Sequence, residues 1–219
     1  MKIAQYIDHT LLKPSMLISE LEKLCEEAKE YSFAAVCVPP LFVRKAKEVL
    51  ANTSIKVATV IGFPFGYSAI EAKLAEVVLA MVDGADELDM VINIAALKNK
   101  DWQYLAKELN TILPVIKNKG KIIKIIIESG ILTDEEIIAC CDLYGAAGVD
   151  FLKTSTGYAE KGASVHAVQL MRKHLADAVQ IKASGGIRTA AFARELIDAG
   201  ANRLGCSSSV QIVKEVLSS

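Results

Sequence analysis

Short apolar runs rich in β-branched residues alternate with longer amphipathic stretches along the whole chain. The runs Tyr6–Leu12, Ala34–Val38, Lys56–Phe63, Glu87–Ile94, Ile122–Glu128, Phe151–Thr156, Gln180–Ser184 and Arg203–Ser207 have the length and residue types of strands. Helical spacing follows each of them, roughly over Ile18–Tyr31, Leu41–Ala51, Ser68–Asp83, Trp102–Asn118, Asp134–Gly145, Ser164–Leu175, Ala190–Ala199 and Ser209–Leu217. Ser19 with Glu22, and Thr133 with Glu136, each read as a capping box, in which a hydroxyl and a carboxylate satisfy amides left open at a helix start. Gly84, Gly145 and Gly200 stand where helices should stop and suit the left-handed position that closes a helix.

Strand and helix alternate without a linker or a low-complexity segment, which predicts an α/β fold with a parallel sheet. Eight such units in 219 residues are most simply arranged as one (β/α)8 TIM barrel, a single domain spanning 1–219. The rival is a doubly wound open sheet. That fold usually carries a glycine-rich loop after its first strand, and here Leu12 is followed by Lys13-Pro14-Ser15-Met16.

Composition narrows the function. Apolar residues make up 52% of the chain, so a large core is available and disorder is not expected. A net charge of −1 gives no general attraction to nucleic acid or to an anionic membrane; a small anionic substrate needs a local site. The cysteines at 25, 37, 140, 141 and 206 are odd in number and lack CxxC or Cys/His spacing, which argues against a disulfide framework or a zinc knuckle. No signal-type apolar segment opens the sequence, and the apolar run Ile122–Ile127 is too short to span a bilayer. A cytoplasmic, soluble protein is the expectation.

Reactive groups of a barrel sit at the C-terminal ends of its strands. Polar residues inside otherwise apolar strands are therefore the candidates: Asp89, Lys153 and Lys182, with Lys124 as a fourth. A lysine among apolar strand residues is costly unless it is paired or its pKa falls. Lys153 and Lys182 lie on predicted neighbouring strands. Two ammonium groups about 5 Å apart repel by roughly 3 kcal/mol at an effective dielectric near 20. Desolvation acts in the same direction, so one amine can move toward neutrality and become a nucleophile for a carbonyl. Asp89 could pair with the lysine that stays charged and help move protons. A purely structural ion network remains the alternative, and the pattern treats the two lysines alike. Lys124 could pair with Glu128, with an acid of another strand, or join the relay.

A second group of residues suits phosphate. Gly157 follows the sixth strand, Gly185-Gly186-Ile187 the seventh, and Ser207-Ser208 the eighth, just before the last helix. Barrels often bind phosphate with the loops after strands seven and eight and a helix N-terminus. Ordinary turns are the plain alternative, and Arg188 can assist the anion or remain solvated. His9, His166 and His174 have no partner at metal-ligand spacing, so neither a metal nor another cofactor is expected. Nucleic-acid binding has no support either, because the aromatics are scattered.

Five segments are similar to the short bacterial deoxyribose-phosphate aldolase family: Ile7-Asp8-His9-Thr10-Leu11-Leu12-Lys13-Pro14, Val60-Ile61-Gly62-Phe63-Pro64, Gly84 through Asn93, Phe151 through Gly157, and Ile181 through Arg188. The resemblance runs nearly the whole chain. It implies a metal-free aldolase that cleaves 2-deoxy-D-ribose 5-phosphate reversibly to acetaldehyde and D-glyceraldehyde 3-phosphate. By the same resemblance Lys153 is the Schiff-base lysine, Lys182 the lysine that lowers its pKa, and Asp89 part of the proton relay. It places phosphate on Gly157, Gly185, Gly186, Ser207 and Ser208, sets Thr10 and Cys37 in the pocket wall, and suggests a homodimer or homotetramer. Pro39, Tyr158, Phe65 and Tyr67 depart from the family pattern without removing a catalytic residue. Other readings keep parts of this chemistry: another Schiff-base aldolase or transaldolase, a phosphosugar isomerase or epimerase, and a non-catalytic phosphate-binding barrel.

Overall fold

A computed structural model describes residues 3–218. Among them, eight parallel strands close into a barrel in chain order: β1 (Ile7–Thr10), β2 (Ala35–Val38), β3 (Lys56–Ile61), β4 (Glu87–Val91), β5 (Ile122–Ile126), β6 (Phe151–Lys153), β7 (Gln180–Ser184) and β8 (Arg203–Cys206). β8 pairs back onto β1, with Asp8 opposite Gly205, which removes both sheet edges. Helices α1 (Ile18–Tyr31), α2 (Val43–Val49), α3 (Ile70–Val82), α4 (Ile94–Lys98), α5 (Trp102–Lys117), α6 (Asp134–Ala146), α7 (Val165–His174), α8 (Ala190–Asp198) and α9 (Ser209–Leu217) form the outer layer. None of them is long and apolar enough to cross a membrane.

The strand period of two sorts the side chains between two interiors. Leu88 and Met90 on β4, Ile123 and Ile125 on β5, and Ile181 and Ala183 on β7 join one apolar cluster with the helices. The intervening Glu87, Asp89, Lys124 and Lys182 are equally buried but occupy the barrel's inside. Register then sets their neighbours: Asp89 stands opposite Lys124, Lys153 opposite Lys182, and Lys182 opposite Arg203.

Local signals fare unevenly. The Thr133–Glu136 capping box is present, with Thr133 N–H bonded to the Glu136 carboxylate at 2.9 Å. The Ser19–Glu22 box is not formed. The N-cap falls two residues earlier, at Leu17, where Glu20 takes the backbone N–H at 2.9 Å and Ser19 is left inside the first turn. Gly84 and Gly200 adopt positive φ after α3 and α8. Gly145 remains helical in α6, and Gly148, with φ 75°, makes the left-handed turn instead. Between β4 and α5 the chain inserts the short α4, whose start is capped by the Asn93 side chain accepting from Ala96 N–H at 3.0 Å. Pro40 opens a 3-10 turn over Pro40–Phe42, which delays α2 to Val43.

Candidate active site

Seven charged side chains share the barrel interior. Lys153 and Lys182 both donate to Oδ2 of Asp89, at 2.8 and 2.7 Å, and Lys124 donates to its Oδ1 at 2.7 Å. Lys182 also binds Asp8. Asp8 accepts in turn from Arg203 at 2.5 Å, and Arg203 reaches Glu87 at 3.4 Å. Lys124 completes the set against Glu87 at 2.5 Å. Lys124 thus pairs with acids of β4 and not with Glu128, whose carboxylate lies above β5 and binds Thr156.

The two lysines are not equivalent here. Lys182 lies between two carboxylates and is wholly buried. Burial alone would lower its pKa, but Asp8 and Asp89 outweigh burial and hold it above the ordinary lysine range. Lys153 has only a shared oxygen of Asp89. Burial dominates, the Lys182 charge adds to it, and the Lys153 pKa falls below the ordinary value. Burial disfavours ionisation of Asp89, yet the Lys124, Lys153 and Lys182 ammoniums overcome it and hold its carboxyl well below the usual range.

Charge counting gives the same asymmetry. Four cationic side chains (Lys124, Lys153, Lys182, Arg203) face three carboxylates (Asp8, Glu87, Asp89). The interior is balanced when one lysine is neutral, and an uncompensated buried charge is expensive. Lys153 is the lysine at the mouth of the column.

Above it opens a cavity of about 340 Å³, lined by Lys153 together with Thr10, Thr156, Gly157, Tyr158, Ser184, Gly185, Gly186, Arg188, Gly205 and Ser207. Gly157, Gly185 and Gly186 all have positive φ, at 90°, 87° and 78°. Packing also demands small residues: a Cβ on Gly162 would lie 2.2 Å from the Gly185 carbonyl oxygen. Ser207 precedes α9, whose N-terminus adds a favourable dipole for an anion. Backbone amides, Arg188 and this helix end can together receive a phosphate while Lys153 meets a carbonyl. Tyr158 closes one side, its hydroxyl donating to the Leu12 carbonyl at 3.0 Å and its ring standing edge-on to Phe63.

The remaining candidates sit elsewhere. Asp89 and Lys182 lie beneath the cavity floor, in contact with Lys153 but not in the wall. Cys37 does not line the cavity; it is fully buried with Ala58 and Val60 on the β2–β3 side, and burial raises its thiol pKa. Ser208 faces an adjoining cavity of about 380 Å³ with His9, Glu20 and Glu27. His166 is exposed and bonded to Asp134 at 2.9 Å. Among the described residues no cluster of three or more His, Cys, Asp or Glu could hold a metal ion. Sequence reasoning passed over Asp8, Glu87 and Arg203 as members of the ion column. Asp8 carried the same signal as Asp89, an acid beside apolar Ile7, but its strand is short and otherwise polar.

A closed parallel barrel with a buried multi-lysine column opening on a glycine-lined cavity is the frame of an aldolase-type enzyme, and known proteins agree. The pattern of the DeoC/LacD family of aldolases matches residues 2–211, and the chain belongs to that family. It is 51% identical over 216 residues to the deoxyribose-phosphate aldolase of a Thermoanaerobacter species, covering 98% of this chain and 97% of that protein. The deoxyribose-phosphate aldolase of Thermococcus kodakarensis is 50% identical over 215 residues, covering 97% and 96%. The tetrameric deoxyribose phosphate aldolase of Aeropyrum pernix superposes with a TM-score of 0.92 at 31% identity, covering 99% of this chain and 91% of that one.

Proposed function

We propose that the protein cleaves 2-deoxy-D-ribose 5-phosphate reversibly to acetaldehyde and D-glyceraldehyde 3-phosphate, with Lys153 as the Schiff-base nucleophile. The observation that carries this reading is the position of Lys153: a buried lysine of lowered pKa that opens into the glycine-lined cavity, while Lys182 is enclosed by two carboxylates.

The neutral Lys153 amine attacks C1 of the open-chain sugar, and loss of water leaves an iminium. The C2–C3 bond then breaks. Its electron pair moves to the iminium to give an enamine, and the C3 hydroxyl loses its proton as glyceraldehyde 3-phosphate forms. Protonation of the enamine carbon and attack of water release acetaldehyde and restore the amine. Lys182 and Asp89 lie beneath the cavity floor, so in this scheme they hold and relay protons at the Lys153 nitrogen, which Asp89 touches directly and Lys182 meets through the same Asp89 oxygen. Gly157, Gly185, Gly186 and Ser207 hold the phosphate end, with Thr10 lining the wall beside Ser207; Ser208, which faces the adjoining cavity, takes no part in this scheme. Remote phosphate binding positions C1 against the amine, which is where much of the rate enhancement of such enzymes arises.

The same reading places the enzyme in the cytoplasm as a homodimer or homotetramer. Val78, Leu79 and Val82, exposed along α3, support self-association, which light scattering would size. Activity is tested by following acetaldehyde release from 2-deoxyribose 5-phosphate. The wild type should turn over and Lys153→Leu should lose at least a thousandfold; equal rates would defeat the proposal.

A further inference from the structure

Glu128 is a buried acid that the chemistry above does not use. It stands two residues beyond Ile126, the end of β5, is 3% exposed, and holds a left-handed backbone (φ 58°, ψ 54°) that a side chain other than glycine rarely adopts. Strain of this kind persists where the surroundings impose it and is concentrated at functional sites. The surroundings here are the loop after β6. Ile127 N–H bonds to the Lys153 carbonyl at 3.1 Å and Ser129 N–H to the Thr154 carbonyl at 2.7 Å, so the two loops are laced together on either side of Glu128.

The left-handed turn aims the Glu128 carboxylate at Thr156. It accepts from Thr156 N–H at 3.2 Å and from the Thr156 hydroxyl. That hydroxyl accepts from Tyr158 N–H at 3.1 Å. The direction of the chain is therefore fixed: Tyr158 N–H to Thr156 Oγ1, and Thr156 O–H to Glu128. Only an acceptor suits the last position, and a carboxylate offers two. Between Thr156 and Tyr158 lies Gly157, whose backbone faces the cavity beside Lys153.

We propose that Glu128 is a positioning residue for phosphate recognition: by fastening Thr156 and, through it, Tyr158, it presents the Gly157 turn to the anionic end of the substrate. The inference rests on the reading of the cavity as a phosphosugar site. Burial raises the Glu128 pKa, and the Thr156 donors and the Lys153 charge oppose that rise.

The test compares kcat/KM for 2-deoxyribose 5-phosphate with kcat/KM for 2-deoxyribose. Glu128→Gln nearly preserves shape but sets an amide donor against a donor. It should lower the phosphate preference about tenfold, chiefly through KM for the phosphorylated sugar, with kcat on 2-deoxyribose within about twofold of wild type. Thr156→Val should also lower the phosphate preference, Thr156→Ser should keep it, and the double variant Glu128→Gln with Thr156→Val should lose no more of the preference than the larger single change. Gly186→Ala serves as the control for the phosphate pocket itself. If Gly186→Ala loses the preference and Glu128→Gln keeps it, Glu128 is merely structural and the inference falls. If the wild type shows no preference for the phosphorylated sugar, the phosphosugar reading falls and the inference with it. Equal loss on both substrates in Glu128→Gln would also overturn it.

Discussion

Replacing Lys182 with methionine tests the electrostatic account of Lys153 quantitatively. Both ammonium nitrogens bind the same Asp89 oxygen, at 2.8 and 2.7 Å, so they are at most about 5.5 Å apart. At an effective dielectric near 20 that separation corresponds to roughly 3 kcal/mol of repulsion. Removing the Lys182 charge deletes this repulsion and also leaves Asp89 freer to hold Lys153 in its charged form. Both effects act in one direction. The neutral amine becomes scarcer at a given pH by about a hundredfold, since each 1.4 kcal/mol is a factor of ten. The nucleophile must be neutral to attack, so activity rises with pH as Lys153 deprotonates. In Lys182→Met the acidic limb of log kcat/KM for cleavage should therefore move about two pH units upward. Methionine fills most of the lysine volume, and Asp8 keeps Arg203, so the barrel should remain folded, as circular dichroism would verify. A variant that lost activity uniformly, with the acidic limb at its wild-type pH, would refute the reasoning and leave Lys182 a role in proton transfer alone.

Two further outcomes follow from the buried charges. Asp8→Asn strips Lys182 and Arg203 of their shared carboxylate, and breaking a buried pair from one side costs about 3–5 kcal/mol. Calorimetry should show a melting temperature roughly 6–20 °C lower at neutral pH. Burial works against ionisation of Asp8, but Lys182, Arg203 and Lys124 pull its pKa below the ordinary value; its contribution is thus fully present above the unfolded carboxylate pKa near 3.9 and fades as pH falls through the lower native value. The wild type should lose thermal stability below about pH 4, and Asp8→Asn should show a shallower loss there. Lys73 and Glu108 form a second buried pair at 2.6 Å, tying α3 to α5, and Lys73 also donates to the Val91 carbonyl at 2.7 Å. Lys73→Met alone should destabilise by about 3–5 kcal/mol in urea titration, while Lys73→Met combined with Glu108→Leu should recover much of that loss; equal stability of the single and double variants would show that the charge pairing is immaterial.

The barrel was legible because its strands are short apolar runs at regular spacing, and period two within them marked Asp89, Lys153 and Lys182 as misplaced polar residues. All three do meet in space. What pattern could not supply was the partner list. Glu87 and Arg203 open their strands, where a polar residue reads as a strand boundary, and Lys124 was visible while its pairing with Asp89 and Glu87 on the neighbouring strand was not. The asymmetry of the lysines depends on Asp8, which reaches Lys182 only because β1 closes on β8. Strand ends were overestimated too: β6 stops at Lys153, and although Thr154 N–H still bonds to Lys182 of β7, Thr154–Thr156 continue as a buried loop tied to the loop after β5 through Ser129 and Glu128. Of the residues placed at the pocket by resemblance, Cys37 is buried inside the barrel with Ala58 and Val60, near the lysines but outside the cavity lining, and Ser208 faces the neighbouring cavity.

Reductive trapping tests the central claim most directly. The protein is incubated with acetaldehyde, reduced with borohydride, digested and mapped by mass. The account predicts one stable two-carbon adduct, on the peptide carrying Lys153. An adduct on Lys182 would contradict the asymmetry read from the ion column, and a folded protein that acquired no adduct at either lysine would contradict the Schiff-base chemistry altogether.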